Sequence, residues 1–299
     1  MTRTVHLIAN PNAGRRDRAA EIERFRALLA ARGVGVEVLR TAAPGDATRL
    51  AAEAARAGAQ EIIASGGDGT INEALQGLVG TRARLGVWPA GTANVLAREL
   101  GLPFDLQGTA DVIARGATQR IYLGCATEER TGARRYFCLM AGIGLDASVV
   151  ANVRPRLKRR VGKAAFWVSG LSHLAYWRPV PFTVEVGGER FKATFAAVGN
   201  TAHYGGELAI TPRARLDRPE FELCLVSSHS RLRYLHLLAQ TMRPEGVTRE
   251  ISGVRFVRAT RARATGDAPV QVDGELIGRL PMTFEIVPDP IEVITPAPA

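Results

Sequence analysis

The chain has 299 residues, 46% of them hydrophobic and 23% charged. That balance excludes disordered and collagen-like chains and fits one large domain or two of about 150 residues. Thirty-nine Lys and Arg against 29 Asp and Glu give a formal charge of +10, but only Lys158, Lys163 and Lys192 are lysines. An arginine-rich composition therefore accounts for much of the total, and its sign alone names no partner. No apolar run approaches the ~20 residues of a membrane-spanning helix. The N-terminal apolar run is too short for a signal peptide and breaks at Asn10-Pro11, so the expected location is the cytoplasm.

The first ~120 residues alternate strand and helix patterns. Strands are predicted at Val5–Ala9, Val34–Leu39, Glu61–Ala64 and Leu85–Trp88. Helices are predicted at Arg18–Arg32 (closed by Gly33), Asp46–Ala57, Ile71–Leu78, Thr92–Leu100 and Asp105–Arg115. This alternation implies a mostly parallel sheet with helices on both faces, whose ligands bind beyond the C-terminal ends of the strands. From Arg120 onward short strands dominate: Arg120–Ala126, Arg135–Ala141, Phe182–Val186, Arg190–Val198, Glu220–Val226, Gly253–Ala259, Val270–Val272 and Met282–Ile286. Gly187-Gly188 marks a hairpin. Helical interruptions are expected near Gly162–Trp177 and Arg231–Met242. The second half thus reads as antiparallel β, with a boundary near residues 118–125. Cys125, Cys138 and Cys224 are far apart and flanked by apolar residues, so buried free thiols are expected, and neither they nor the five scattered histidines have zinc-site spacing.

Three polar, glycine-containing turns each follow a strand and open a helix: Asn10-Pro11-Asn12-Ala13-Gly14, Ser65-Gly66-Gly67-Asp68-Gly69-Thr70 and Pro89-Ala90-Gly91-Thr92-Ala93-Asn94. Such turns present backbone N–H groups to an anion, and glycine lets the backbone approach phosphate closely. Asp68 would repel phosphate unless Mg²⁺ lies between them, an ion that takes one or two carboxylates plus phosphate oxygens. There is no Walker-A lysine pattern and no GxGxxG. Asp273-Gly274 taken by itself is a hairpin dipeptide.

Together these blocks resemble the signatures of the diacylglycerol kinase catalytic-domain superfamily, which includes bacterial lipid kinases and sphingosine and ceramide kinases. The resemblance continues through Gly142-Ile143-Gly144-Leu145-Asp146-Ala147, through Gly199-Asn200 to Gly205-Gly206 and Thr211-Pro212-x-Ala214, and through Val272-Asp273-Gly274-Glu275. GGDGT is shared with NAD kinases and related phosphofructokinases; the GTAN segment and the late DGE favour lipid kinases.

The resemblance implies an N-terminal α/β nucleotide-binding domain (1–122) of the NAD-kinase and phosphofructokinase type. A C-terminal antiparallel β-sandwich for the lipid substrate (123–285) follows, with the site in the cleft between the two and residues 286–299 returning to the first domain. It implies an ATP- and Mg²⁺-dependent kinase acting on a lipid hydroxyl, whether diacylglycerol-like, phosphatidylglycerol or a sphingoid base. Gly14, Gly66, Gly67, Gly69 and Thr70 would serve the ATP phosphates. Asn10, Asn12, Thr41 and Thr92 would lie near the nucleotide, and Asp68 would hold Mg²⁺. Asp273 would be the general base, Glu275 would assist metal or nucleotide, and Arg159 would reach phosphate.

Two departures stand out. Val95 replaces the Asp that many bacterial members carry after the GTxN asparagine. Asp217-Arg218-Pro219-Glu220 replaces a DDG loop, which leaves Asp217 as a reduced candidate for a structural Mg²⁺. The basic run Arg154–Lys163, followed by Phe166, Trp167, Tyr176 and Trp177, suits an anionic membrane surface at the inner face. No nucleic-acid motif is present, so no nucleic-acid partner is expected. The competing readings are a soluble-substrate kinase of the NAD-kinase type and a catalytically idle lipid- or nucleotide-binding module.

Overall fold

The computed structural model describes residues 3–11, 13, 18–152, 176–204, 208–243, 246–247 and 251–296. The chain divides into two compact units, residues 1–121 with 289–299, and residues 122–288.

The first unit runs β1 (Arg3–Ala9), α1 (Arg18–Ala30), β2 (Val34–Arg40), α2 (Asp46–Arg56), β3 (Glu61–Gly66), α3 (Asp68–Leu78), β4 (Arg84–Pro89), α4 (Val95–Glu99), α5 (Leu106–Arg115) and β5 (Thr118–Ile121). Its sheet has the order β2-β1-β3-β4, continued by a strand from the chain's C-terminal end, Ile291–Ile294, and then by β5. β1 to β4 are parallel. The C-terminal strand runs parallel to β4 and antiparallel to β5. β3 is buried along its whole length, as a central strand covered on both faces must be. Helix α1 packs with α5, and α2 with α3. Because β2 leaves β1 on one side and β3 joins it on the other, the strand order reverses beside β1. That point is where the crevice for a ligand opens in such sheets.

The second unit runs β6 (Gly124–Glu128), β7 (Arg134–Phe137), β8 (Met140–Gly144), α6 (Leu145–Asn152), β9 (Phe182–Val186), β10 (Glu189–Ala193), β11 (Phe195–Gly199), β12 (His203–Tyr204), β13 (Leu208–Ala209), β14 (Phe221–Val226), α7 (Arg231–Thr241), β15 (Val254–Ala259), β16 (Arg261–Thr265), β17 (Pro269–Val272), β18 (Glu275–Arg279) and β19 (Met282–Ile286); the C-terminal strand Ile291–Ile294 is β20. Two six-stranded sheets, β10-β9-β16-β19-β6-β7 and β15-β14-β11-β8-β17-β18, form an antiparallel β-sandwich. Phe137, Ile143, Val184, Leu223, Val270 and Phe284 lie in the core that fills it. Gly187-Gly188 forms the two-residue turn between β9 and β10, both at positive φ, with Val186 opposite Glu189.

Several predicted elements need correction. The strand expected over Arg120–Ala126 is two strands, β5 and β6, one in each unit. Arg135–Ala141 likewise divides into β7 and β8, which belong to different sheets. The helix expected from Thr92 starts only at Val95, because Asn94 adopts the left-handed conformation (φ 48°) and its side chain closes a loop instead. Helix α3 starts at Asp68 and not Ile71, so Asp68, Gly69 and Thr70 are its first turn. The three cysteines are free and buried. No helix among the described residues is long and apolar enough to cross a membrane.

Candidate functional site

In the first unit, the register places the C-terminal ends of four strands side by side. Ala9 lies opposite Arg40 and Ser65, and Gly66 opposite Pro89. Asn10, Thr41, Gly66–Thr70 and Ala90–Asn94 therefore form one loop cluster at the strand-order reversal. Hydrogen bonds tie the loops together. Asn10 donates from its backbone N to Ser65 O (3.0 Å) and from Nδ2 to Thr70 Oγ1 (3.2 Å). Thr41 N donates to Ala9 O (3.1 Å), and Ala90 N to Gly66 O (2.8 Å).

The glycines here permit close approach of two chains. A Cβ on Gly91 would stand 2.5 Å from Gly67 Cα, and one on Gly66 would stand 2.5 Å from Thr70 Cβ. Asn94 locks the third loop, with Oδ1 accepting from Gly91 N (2.8 Å) and Nδ2 donating to Gly91 O (2.9 Å). Left-handed backbone at a non-glycine residue is tolerated best by Asn and Asp, whose side chains bond locally.

Asp68 is the first residue of α3, where a negative charge complements the helix dipole. Its Oδ1 accepts from Leu96 N (3.3 Å), so it also caps α4 across the loop. The first intrahelical bond of α3 runs from Ile71 N to Gly67 O. The amides of exposed Gly69 and half-buried Thr70 precede it, and such amides are aimed outward from a helix N-terminus. Thr92 is exposed on the third loop. Val95, where many bacterial members have Asp, is buried.

One residue of this region lay outside the motifs. Arg18 is 6% exposed. Its guanidinium lies 4.4 Å from the centroid of Trp88, which itself stacks on Phe25. Nη2 donates to Ser65 Oγ, and Nη1 pairs with Glu21 at 2.8 Å. It thus braces the ends of β3 and β4 just before the glycine loops. In the sequence it is one arginine among many at the start of a helix, and only burial distinguishes it.

In the second unit, Asp273-Gly274 is the two-residue turn joining β17 to β18, with Val272 opposite Glu275 and both turn residues at positive φ (47° and 84°). This is the geometry that favours Asp-Gly in hairpins. The Asp273 carboxylate also makes long-range bonds. Oδ1 accepts from Leu139 N (3.0 Å) and Met140 N (2.9 Å), and Oδ2 from Cys138 N (2.9 Å). Residues 138–140 carry the chain from β7 in one sheet to β8 in the other, so Asp273 pins the crossover of the sandwich. Asn200 holds the same segment from another side, with Nδ2 donating to Cys138 O (3.2 Å) and its own N to Leu139 O (2.9 Å). Burial pulls the Asp273 pKa above the usual carboxylate value, and the three amides pull it partly back.

Beside this turn lies a buried polar cluster. Gln271 is fully buried. Its Oε1 accepts from Gly274 N (2.7 Å) and its Nε2 donates to Asp146 Oδ2, so both ends of the amide have fixed roles. Tyr204 is also hydrogen-bonded to Asp146. Burial raises the Asp146 carboxyl to about 7, against the opposing pull of these two hydrogen bonds. Gly142 makes the arrangement possible, because a Cβ there would overlap the Asp146 carboxylate and stand 2.7 Å from Gln271 Nε2. The GxGxDA block is thus legible as packing: a glycine vacates the space that the aspartate four residues later fills. Gln271 and Tyr204 carry no motif of their own.

Two sequence candidates have other partners. Glu275 is largely exposed and forms an ion pair with Arg135. The Arg215 guanidinium takes both oxygens of Asp217 at 2.9 Å and holds its pKa below the usual range. A metal ion bound at Asp217 would have to compete with this cation for both oxygens. Asn12, Gly14, Arg159, the rest of Arg154–Lys163 and Gly205-Gly206 lie outside the described residues, as does nearly all of the helix expected over Gly162–Trp177.

Comparison with known proteins adds an independent finding. Residues 4–126 match the diacylglycerol kinase catalytic domain, and residues 140–295 match the YegS C-terminal NAD kinase beta sandwich-like domain. A diacylglycerol kinase of Mycobacterium tuberculosis (strain ATCC 25618 / H37Rv) is 32% identical, over 98% of this chain and 95% of its own. One of Staphylococcus aureus (strain MRSA252) is 29% identical, over 99% and 93%. A crystal structure of a diacylglycerol kinase from Bacillus anthracis str. Sterne superposes with a TM-score of 0.76 at 21% identity, covering 99% of this chain and 97% of the other. A second crystal structure from that organism gives a TM-score of 0.81 at 24% identity, covering 99% and 98%. These two likenesses concern the fold. On its motifs, its two domain matches and its full-length relatives, the chain belongs to the diacylglycerol kinase family of lipid kinases.

Proposed function

We propose that this protein transfers the γ-phosphoryl group of ATP to a hydroxyl of a membrane lipid, with diacylglycerol as the first candidate acceptor and phosphatidylglycerol and sphingoid bases as the others. The observation that carries the reading is the loop cluster of the first unit. Three glycine-bearing loops are hydrogen-bonded to one another at the strand-order reversal, and the N-terminus of α3 opens there. The names of the full-length relatives favour diacylglycerol.

Phosphoryl transfer asks a protein mainly for positioning and charge neutralisation. Gly67, Gly69 and Thr70 would donate backbone N–H groups to the phosphates, with Gly14 and Gly66 allowing the backbone close. Asn10, Asn12, Thr41 and Thr92 would border the nucleotide. Arg159 would reach a phosphate, and Glu275 would assist the metal or the nucleotide. A nucleotide-borne Mg²⁺ fits the donor set. Asp68 offers one carboxylate, and among the described residues no three His, Cys, Asp or Glu side chains gather to hold a metal alone. Mg²⁺ of this kind takes one or two carboxylates and completes its shell with phosphate and water oxygens. Bound there, it would neutralise charge on the phosphate oxygens.

The Asp273 carboxylate would take the proton of the lipid hydroxyl as that oxygen bonds to the γ-phosphorus and the bond to ADP breaks. A raised pKa makes it a stronger base, and the amides of residues 138–140 keep it oriented. Incubating the protein with labelled ATP, Mg²⁺ and a panel of lipids tests the proposal. A labelled phosphatidic acid or another labelled lipid is expected, and no labelled lipid across the panel would count against it.

A further inference from the structure

Helix α7 exposes an apolar stripe. Leu232 is 76% exposed, Leu235 40% and Met242, just past the helix end, 65%. With exposed Ala239 they fall within an arc of about 80° at ~100° per residue. The opposite face is anchored, since buried Tyr234 meets Trp177 edge-on at 5.1 Å between ring centroids. That contact brings Tyr176, 86% exposed, beside the helix. Exposed Arg231, Arg243, His236 and Arg178 accompany the stripe.

The charge of the two sequence stretches that carry these residues is one-sided. The stretch from Ala147 to Val184 contains seven Lys or Arg and no Asp or Glu, and that from Leu223 to Pro244 contains three and none. The two stretches meet at the Trp177–Tyr234 contact. They hold ten of the 39 basic residues and none of the 29 acidic ones, so the remaining chain carries 29 of each. Among the described residues, Arg178 of the first stretch and Arg231, Arg233 and Arg243 of the second therefore have no acidic residue within their own stretch. Arg231, moreover, sits in the first turn of α7, where a cation opposes the helix dipole.

We infer that the exposed stripe of α7, with Tyr176, is a docking surface for an anionic lipid bilayer. Leu232, Leu235, Met242 and Tyr176 would enter the boundary between headgroups and acyl chains, and the arginines would meet the lipid phosphates. A second copy of the chain is disfavoured as the occupant because it would set two cationic faces against each other. The inference rests on the proposed membrane-lipid acceptor and adds where the enzyme meets its membrane.

The test is flotation of the full chain, without ATP, on vesicles of phosphatidylglycerol and phosphatidylcholine or of phosphatidylcholine alone. The wild-type chain should float with the anionic vesicles, less so at high salt. L232Q/L235Q/M242Q should lower the partition coefficient at least about tenfold, with the near-ultraviolet circular dichroism of the folded chain retained. R231E/R243E should weaken binding to the anionic vesicles through a different physical contribution. Unchanged partitioning of both variants would overturn the inference. So would a dimer in sedimentation that the triple variant dissociates while vesicle binding persists. The kinase reading is read separately, from wild-type phosphorylation of short-chain diacylglycerol, phosphatidylglycerol and a sphingoid base, each dispersed in detergent. If that fails while the stripe-dependent flotation holds, the docking surface stands and the kinase reading falls.

Discussion

The first unit's loop cluster and the second unit's Asp273 turn are both built from glycines and acids, yet they use them in opposite ways. In the first, Gly67 and Gly91 bring two backbones within contact and leave the amides of α3's first turn facing outward. In the second, Gly142 clears a buried space, and the acids that fill it are satisfied internally: Asp273 by three amides, Asp146 by Gln271 and Tyr204. One cluster leaves helix amides facing outward, where the proposed function puts phosphate, and the other holds two carboxylates in a buried place with raised pKa values. A phosphotransferase needs both, a cradle for phosphate and a base strong enough to take a hydroxyl proton.

Substitutions can break this contrast. The largest effect is expected at Asp273. Asp273→Asn should lower kcat by at least about a hundredfold, the scale of a lost general base. It should also destabilise the fold by about 1–3 kcal/mol, because an amide N–H₂ would face a backbone donor. A pin without catalytic role would change only the second quantity. The pH profile separates the two. The active form is the ionised one, so activity should be lost as pH falls through a pKa above the ordinary carboxylate range, as burial dictates.

Next in size is Gly142→Ala, which places a methyl group on the Asp146 carboxylate. Overpacking of this kind costs about 1–3 kcal/mol and is read from urea unfolding. Gly91→Ala overpacks the loop cluster of the first unit. It pushes against the Gly67 backbone and should raise the KM for ATP about tenfold, equivalent to ~1.4 kcal/mol, besides lowering Tm.

The last effect is a slope in stability and leaves the reacting groups in place. Asp146 has a folded pKa of about 7, above its unfolded value. It holds its proton more tightly in the folded chain, so its contribution to stability is full at pH values below the unfolded carboxylate pKa and is lost as pH rises through 7. Asp146→Asn keeps the shape and should flatten the pH dependence of unfolding free energy between pH 5 and 8.

Much of this was legible in the sequence where local chemistry and the fold agree. The β-α alternation, the loop motifs and the Gly187-Gly188 hairpin are cases in point. What escaped had a physical reason. β16, Arg261–Thr265, buries only Ala262 and Ala264, so its alternation pairs arginine with alanine and lacks the bulky apolar residues that mark a strand. The break between β5 and β6 has no turn signature because the chain changes units there. Helix α4 loses its first residues to a side-chain-closed loop at Asn94, a competition that propensity does not reveal. In the site, the motif acids could be named from sequence, but their partners could not. Arg18, Gln271 and Tyr204 become significant only through burial, and Asp217 is taken by a neighbour two residues away.

The most direct test is the labelled-ATP assay on the lipid panel, with the product identified by mass. A phosphorylated lipid, phosphatidic acid first, should be formed by the native chain and reduced at least about a hundredfold by Asp273→Asn. No lipid product from the native chain, or labelled NADP formed from NAD in its place, would contradict the lipid-kinase reading.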